Sequence, residues 1–282
     1  MSSRRHRIIH RTTMRYDGEV TASHNELRMI PVTEPGQATL DARVRVRPLT
    51  WSNVYEDHWG TQVMAMESQT PHTVLEIEAT STVERSEVPI HADASGWDVV
   101  REETTVDRLS EFLAQTTRTA PPPQVRALAQ EFAHEPTPRA AASAFARRIH
   151  EELTYEGGVT GWQSTAADVW ERRGGVCQDF AHLALGGLRD LGIPVRYVSG
   201  YLSVDDADIT RGTTVPARSH AWIEVWDGGW HPLDPTNTGS VGLDHVVVGR
   251  GRDYDDVSPF RGMFVGPKIT DLDLDITYTR VG

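Results

Sequence analysis

Cys177, His220 and Asp234 follow one another along this chain, and their side chains are a nucleophile, a proton carrier and a carboxylate able to orient it. Cys177 is the one cysteine among 282 residues and stands in Arg173-Gly-Gly-Val-Cys-Gln-Asp-Phe-Ala181. A thiol attacks as its thiolate, so what surrounds the cysteine decides what it can do. After it, Phe180, Leu183, Ala184, Gly187, Leu188 and Leu191 recur at helical spacing, and Gly192 followed by Pro194 ends the pattern. The spacing predicts a buried helix with Cys177 in its first turn. There free backbone N–H groups and the helix dipole favour an anion, and the preceding glycines let another chain approach closely. The plainer alternative is a small buried hydrophobe at the edge of an apolar helix.

His220 and Asp234 fall on a predicted hairpin. Ser219-His-Ala-Trp-Ile-Glu-Val-Trp226 alternates as a strand, Asp227-Gly-Gly229 is a turn signal, and Trp230-His-Pro-Leu-Asp234 returns. If Trp226 faces Trp230, then His220 faces Thr236 and Asp234 faces Trp222. Strand side chains repeat every second residue, so His220 and Asp234 land on one sheet face as diagonal neighbours. Pro232 restricts the return strand to an edge, or makes it leave the ladder there. Singly, each residue has a bland reading: His220 is one of twelve histidines, and Asp234 before Pro235 starts a turn. Jointly they supply an imidazole with a carboxylate partner. Trp222, Trp226 and Trp230 line a cleft or pack a core.

The elements that must hold these residues divide by periodicity. Through about residue 115, β-rich segments alternate with turns, as in Arg43-Val-Arg-Val-Arg47 and in Thr73-Val-Leu-Glu-Ile-Glu-Ala79, which Ser81–Val88 extends; short punctuated strands suggest a β-sandwich. Ala120-Pro-Pro-Pro123 is stiff and extended, and the boundary is placed there, giving a β-rich domain over 1–118 and a catalytic domain over 119–282. Beyond it, Thr137 caps a helix that begins at Pro138 and buries Phe145, Ile149 and Leu153, and a second helix covers Ala166 to Arg172. The alternating tail Ile269–Tyr278 reads as a half-exposed strand, and Met1–His10 as a basic tail running into a first strand.

A net charge of −12 argues against nucleic acid and against anionic membranes as partners. A lone cysteine leaves no internal disulfide, which fits a reducing compartment, and the start lacks the apolar run of a signal peptide, so a cytoplasmic location is expected.

With Gly175-Val-Cys-Gln-Asp-Phe-Ala181, Leu191-Gly-Ile-Pro-Val-Arg-Tyr-Val-Ser-Gly-Tyr201, His220-Ala-Trp222 and Asp234-Pro-Thr236 in place, the chain resembles the transglutaminase-like branch of the papain-like cysteine enzymes. The front half is similar to the β-rich region that accompanies this domain in bacterial members, at His10-Arg-Thr12, Tyr16, Glu26–Pro31 and Asp57-His-Trp-Gly60. The resemblance implies an α+β catalytic domain whose cysteine helix packs on an antiparallel sheet. It makes Cys177 the nucleophile, His220 the base and acid, and Asp234 the group that fixes the histidine tautomer. It also implies attack on an amide carbonyl through a thioester, resolved by water in a peptidase or amidase and by a primary amine in a transglutaminase. Substrates would be peptides or proteins, and no cofactor and no metal are expected.

One oxyanion donor is then the Cys177 backbone N–H. The second is open: papain-like enzymes use a glutamine shortly before the cysteine, where this chain has Glu171, which leaves Gln163, Trp162 and Tyr155 as candidates. A zinc site fits poorly, since no His-Glu-x-x-His or Cys-x-x-Cys spacing occurs. A binding module that has kept the fold without activity is the more serious rival. The loop Ser203–Thr213 carries Asp205, Asp206 and Asp208; bordering the cleft, it would favour a basic substrate or amine, although a charge run is usually a solvated loop.

Overall fold

The computed structural model describes residues 2–88, 95–203, 210–238 and 241–282; Asp205, Asp206 and Asp208 lie outside them. The front half supplies strands β1 (Ser3–Val20), β2 (Ala22–Leu27), β3 (Gln37–Arg47), β4 (Trp51–Glu56), β5 (Gln62–Ser68) and β6 (His72–Ser86). In β1 the even-numbered residues His6, Ile8, His10, Thr12, Met14 and Tyr16 are buried, while Arg7, Arg11 and Arg15 alternate with them outward. The strand already begins at Ser3, which corrects the expected basic tail: period two absorbs the arginines as the outer half of a strand. Arg5 pairs with Glu84 at 2.6 Å, and Arg4 pairs with Asp244.

The remaining strands are β7 (Thr154–Tyr155), β8 (Gly174–Gly175), β9 (Val195–Ser203), β10 (Thr214–Trp226), β11 (Trp230–Leu233), β12 (Val246–Gly251), β13 (Phe260–Val265) and β14 (Ile269–Arg280). One eight-stranded sheet runs β12-β9-β10-β14-β1-β6-β3 with β11 added on β10, and a four-stranded sheet runs β13-β2-β5-β4. Met14, Tyr16, Leu27, Met66, Leu75 and Ile77 fill the space between the sheets, the sandwich expected of the β-rich segment. The tail strand β14 pairs along β1 from His6↔Arg280 to Tyr16↔Ile269 and meets β10 at Thr214↔Thr279, Val215↔Tyr278 and Pro216↔Thr277. The β-rich front half and the strands that carry the candidate site therefore share one sheet.

Helices are α1 (Asp98–Arg101), α2 (Glu103–Arg108), α3 (Ser110–Leu113), α4 (Pro123–Gln130), α5 (Pro138–Glu152), α6 (Ala166–Arg172), α7 (Cys177–Asp190) and α8 (Tyr254–Val257). α1 to α4 and α8 were not expected: α1, α2, α3 and α8, of four to six residues, are too short to display a 3.6-residue period, and α4 opens on the last of the three prolines, at its N1 position. Tertiary contacts hold them, among them the Arg189 Nε–H donated to the Phe112 carbonyl at 3.1 Å. α5 follows its sequence signals: the Thr137 hydroxyl accepts the Ala140 N–H at 3.1 Å, and Phe145 and Ile149 are buried. α7 is central, with Phe180, Leu183, Ala184 and Leu188 packed among α4, α5, α6 and the sheet residues Tyr197, Ala221, Ile223 and Val225. Each large apolar side chain so buried contributes about 1.5–3 kcal/mol. Among the described residues no helix is long and apolar enough to cross a membrane.

Candidate active site

The start of α7 is built to present Cys177. α6 ends on Arg173 in the left-handed region (φ 57°), and Gly174-Gly175 then pair in parallel with Thr154 and Tyr155 before Val176 leads into the helix. The Asp179 carboxylate, one turn inside α7, accepts the Val176 N–H at 2.8 Å and the Thr160 hydroxyl at 2.6 Å. Burial raises the Asp179 pKa, and those two hydrogen bonds resist the rise. Any side chain at position 175 would collide with this carboxylate, so glycine there is a requirement of close approach. Cys177 is thereby held half-buried at the first position of a fourteen-residue helix, at the positive end of its dipole.

The hairpin has the expected register, Trp226↔Trp230 through Ile223↔Leu233, with β11 on an edge as Pro232 demands. β11 stops at Leu233, and the chain turns at Asp234-Pro-Thr-Asn237. Asp234 Oδ1 accepts the backbone N–H groups of Thr236 at 2.9 Å and Asn237 at 3.2 Å. Its Oδ2 lies 2.7 Å from His220 Nε2 and accepts from Asn237 Nδ2 at 2.8 Å. Asp234 thus starts a turn and partners an imidazole at once, and only 1% of its side-chain surface is exposed. Across the ladder from His220 sits Gly200, where a side chain would strike the Trp222 ring that stacks on His220 at 6.0 Å.

Electrostatics follow from burial and partners. Burial pulls the His220 pKa down, but hydrogen bonds to Asp234 and to Cys177 more than offset it and raise it to about 9. Burial would push Asp234 up, yet hydrogen bonds from His220 and Asn237, the nearby His245 ring and the His220 charge hold its carboxyl well below the usual range. With Nε2 committed to Asp234, Nδ1 is the nitrogen left for the hydrogen bond to Cys177. A thiol, an imidazole that holds its proton at neutral pH and a buried carboxylate form one chain, which can deliver a nucleophile and return a proton.

The oxyanion candidates are less well placed by sequence. Trp162 is 61% exposed with the Arg118 guanidinium over its ring, Gln163 is exposed in the same turn, and Tyr155 in β7 is 47% exposed. Gln178, next to Cys177, reaches that turn by donating to the Trp162 carbonyl at 3.4 Å. Glu171 lies exposed on α6. Of the tryptophans, Trp222 is fully buried, whereas Trp226 and Trp230 meet edge-to-face at 5.4 Å on the hairpin.

Sequence reasoning missed Asn237 and His245. Asn237 had a readable signal, lying three residues after an aspartate that opens a turn; His245 had none, because it reaches the site by tertiary path. Its Nε2 is 3.5 Å from Asp234 Oδ2. His220, Asp234 and His245 also have ligand atoms within 4.8 Å of one another, close enough to be weighed as a metal cluster. However, His245 Nδ1 accepts the Gly242 N–H at 3.2 Å, which puts the ring proton on Nε2 and removes the lone pair a metal needs.

Residues 126–235, which contain Cys177, His220 and Asp234, match the family model described as transglutaminase-like superfamily, and residues 6–84 match the bacterial transglutaminase-like N-terminal region. An uncharacterized protein of Mycobacterium leprae is 40% identical over 277 residues, 98% of this chain and 99% of its own. An uncharacterized protein of Mycobacterium tuberculosis is 32% identical, covering 92% of this chain and 87% of its own. The crystal structure of a "putative cysteine protease" from Cytophaga hutchinsonii superposes with a TM-score of 0.75 at 21% identity, over 100% of this chain and 92% of that one, and shows a shared fold.

Proposed function

The chain belongs to the transglutaminase-like superfamily, and on that footing we propose that it is a cysteine-dependent acyl-transfer enzyme acting on amide bonds, as a peptidase or amidase. The observation that carries this reading is the hydrogen-bonded series from Cys177 through His220 to Asp234 at the start of a buried helix.

In this mechanism the Cys177 thiolate attacks the amide carbonyl while His220 carries the proton on Nδ1. The oxyanion that forms lies against the Cys177 backbone N–H and a second donor drawn from Gln163, Trp162 or Tyr155. As the C–N bond breaks, the His220 proton passes to the departing amine and leaves a thioester on Cys177 and a neutral imidazole. Water then attacks the thioester with His220 as base, releasing a carboxylic acid and restoring the thiolate with the imidazolium. Asp234 keeps Nε2 protonated and aligned throughout. If a primary amine takes the place of water, the same intermediate gives transamidation.

The test is mass spectrometry of peptide mixtures incubated with the protein, with and without a primary amine. New termini that depend on Cys177 are expected. Deamidated side chains or amine adducts would move the assignment to a transglutaminase or deamidase. No Cys177-dependent product, together with iodoacetamide labelling no faster than an ordinary thiol, would leave a peptide-binding module.

A further inference from the structure

Asp234 has more donors around it than are needed to orient one imidazole. Besides His220 and the turn, its Oδ2 faces Nε2 of His245, which lies directly before β12 and is 8% exposed. The Gly242 N–H occupies His245 Nδ1, so by the network's assignment the proton sits on Nε2 and points at the carboxylate. That Nε2 has no hydrogen-bond partner among the described residues; at 3.5 Å, Asp234 is the acceptor it faces. The ring is held edge-on to Trp222 at 5.4 Å, and Trp222 in turn stacks on His220.

We propose that His245 is a positioning residue whose Nε2–H shares the Asp234 carboxylate with His220, and so limits how tightly Asp234 holds the His220 proton. This rests on the acyl-transfer reading given above. A carboxylate that accepts an additional N–H is a weaker base. Without that donor Asp234 would bind the imidazolium more strongly, and His220 would surrender its proton to the leaving amine less readily. His245 itself stays a neutral donor: burial lowers its pKa, the nearby Asp234 resists this, and the charges of His220 and Arg85 add to the lowering. The charged and titratable groups that meet at this point are Cys177 from α7, His220 from β10, Arg85 from β6, and Asp234 after β11. One buried carboxylate between two imidazoles supports one imidazolium, and the geometry gives that charge to His220, at 2.7 Å against 3.5 Å.

The experiment is the rate of Cys177 alkylation by iodoacetamide against pH, read by mass spectrometry of the Cys177 peptide, in wild type, His245→Leu, His245→Gln and His220→Ala. Wild type should show an upper inflection set by His220, near 9. His245→Leu should move it upward, and His245→Gln, which keeps an N–H within reach of Oδ2, should bring it back towards wild type. An unchanged inflection overturns the proposal. So does a downward shift, which is what a merely loosened hairpin would give as His220 drifts towards a free imidazole. If the leucine variant does not fold, as judged by circular dichroism, His245→Ala takes its place with the same criteria. If wild type and His220→Ala give the same profile, it is the triad reading that has failed. On a substrate found by the peptide screen, His245→Leu should lower kcat about ten- to a hundredfold with KM little changed, the range for one hydrogen bond to a charged group.

Discussion

Two kinds of buried histidine coexist in this molecule. His6 and His10 in β1 and His182 in α7 are sealed into the core, and burial drags their pKa values to about 4, 4 and 3. His10 Nδ1 donates to the Tyr201 hydroxyl at 2.9 Å, which donates on to the Met29 carbonyl at 3.2 Å; His182 Nε2 accepts the Tyr254 N–H at 3.2 Å. These are neutral imidazoles used as hydrogen-bonding spacers. His220 is nearly as deeply buried and goes the other way, to about 9. The difference lies in the partners: Asp234 and Cys177 touch His220 directly, while the one carboxylate beside His6, Asp244 at 3.5 Å, does not overcome the desolvation. Burial makes a histidine neutral, and a carboxylate at 2.7 Å together with the Cys177 partner is what makes His220 a proton carrier.

The comparison is broken most directly at the reactive pair. Cys177→Ala should abolish turnover while leaving the fold intact, and His220→Ala should cost nearly as much, since members of one catalytic unit fail together. Turnover near wild type in either variant, on any substrate the peptide screen identifies, would show that His220 is only another spacer. Asp234→Asn removes the charge but keeps the shape. It should slow kcat by about four orders of magnitude with modest effect on KM, because the imidazole is left in the wrong tautomer.

The spacer histidines make the opposite prediction for stability. Each has a folded pKa below the unfolded value of about 6.5, so the stability it contributes is present above pH 6.5 and is lost as pH falls through about 4 for His6 and His10 and about 3 for His182. His6 and His10 each account for roughly 3 kcal/mol when fully titrated, and His182 for roughly 5. Urea midpoints should therefore fall from pH 6.5 to 4.5, before most carboxylates titrate. His10→Asn, which keeps a donor for Tyr201, should flatten that slope by about a quarter, since His6, His182 and His245 are also lowered. A slope unchanged in the variant would remove His10 from the account. His220 is raised instead, so its contribution is complete below about pH 6.5 and disappears as pH rises through about 9. Only wild type, and not His220→Ala, should lose stability in that window. The smallest expected effect is that of metal removal: with the His245 lone pair occupied, incubation with EDTA should leave alkylation and turnover unchanged, and loss restored by zinc would reverse the assignment.

Much of the site could be read locally. The apolar spacing from Phe180 to Leu188 places Cys177 at a helix start, because side-chain period and capping act over a few residues. The Asp-Gly-Gly turn with Trp226 opposite Trp230 determines the hairpin register as far as Ile223 opposite Leu233, and the turn that begins at Asp234, rather than the ladder, carries its carboxylate to His220. Thr137, Pro138 and the break at Gly192 likewise set helix ends from their own chemistry. Tertiary structure alone decided that β14 lies between β1 and β10, that three short helices fill residues 98–113, and that His245 comes to rest against Asp234. A repeating pattern of side chains tells each segment which face to bury. It carries no information about which distant segment will cover that face, because that partner is chosen by packing and by the path of the whole chain.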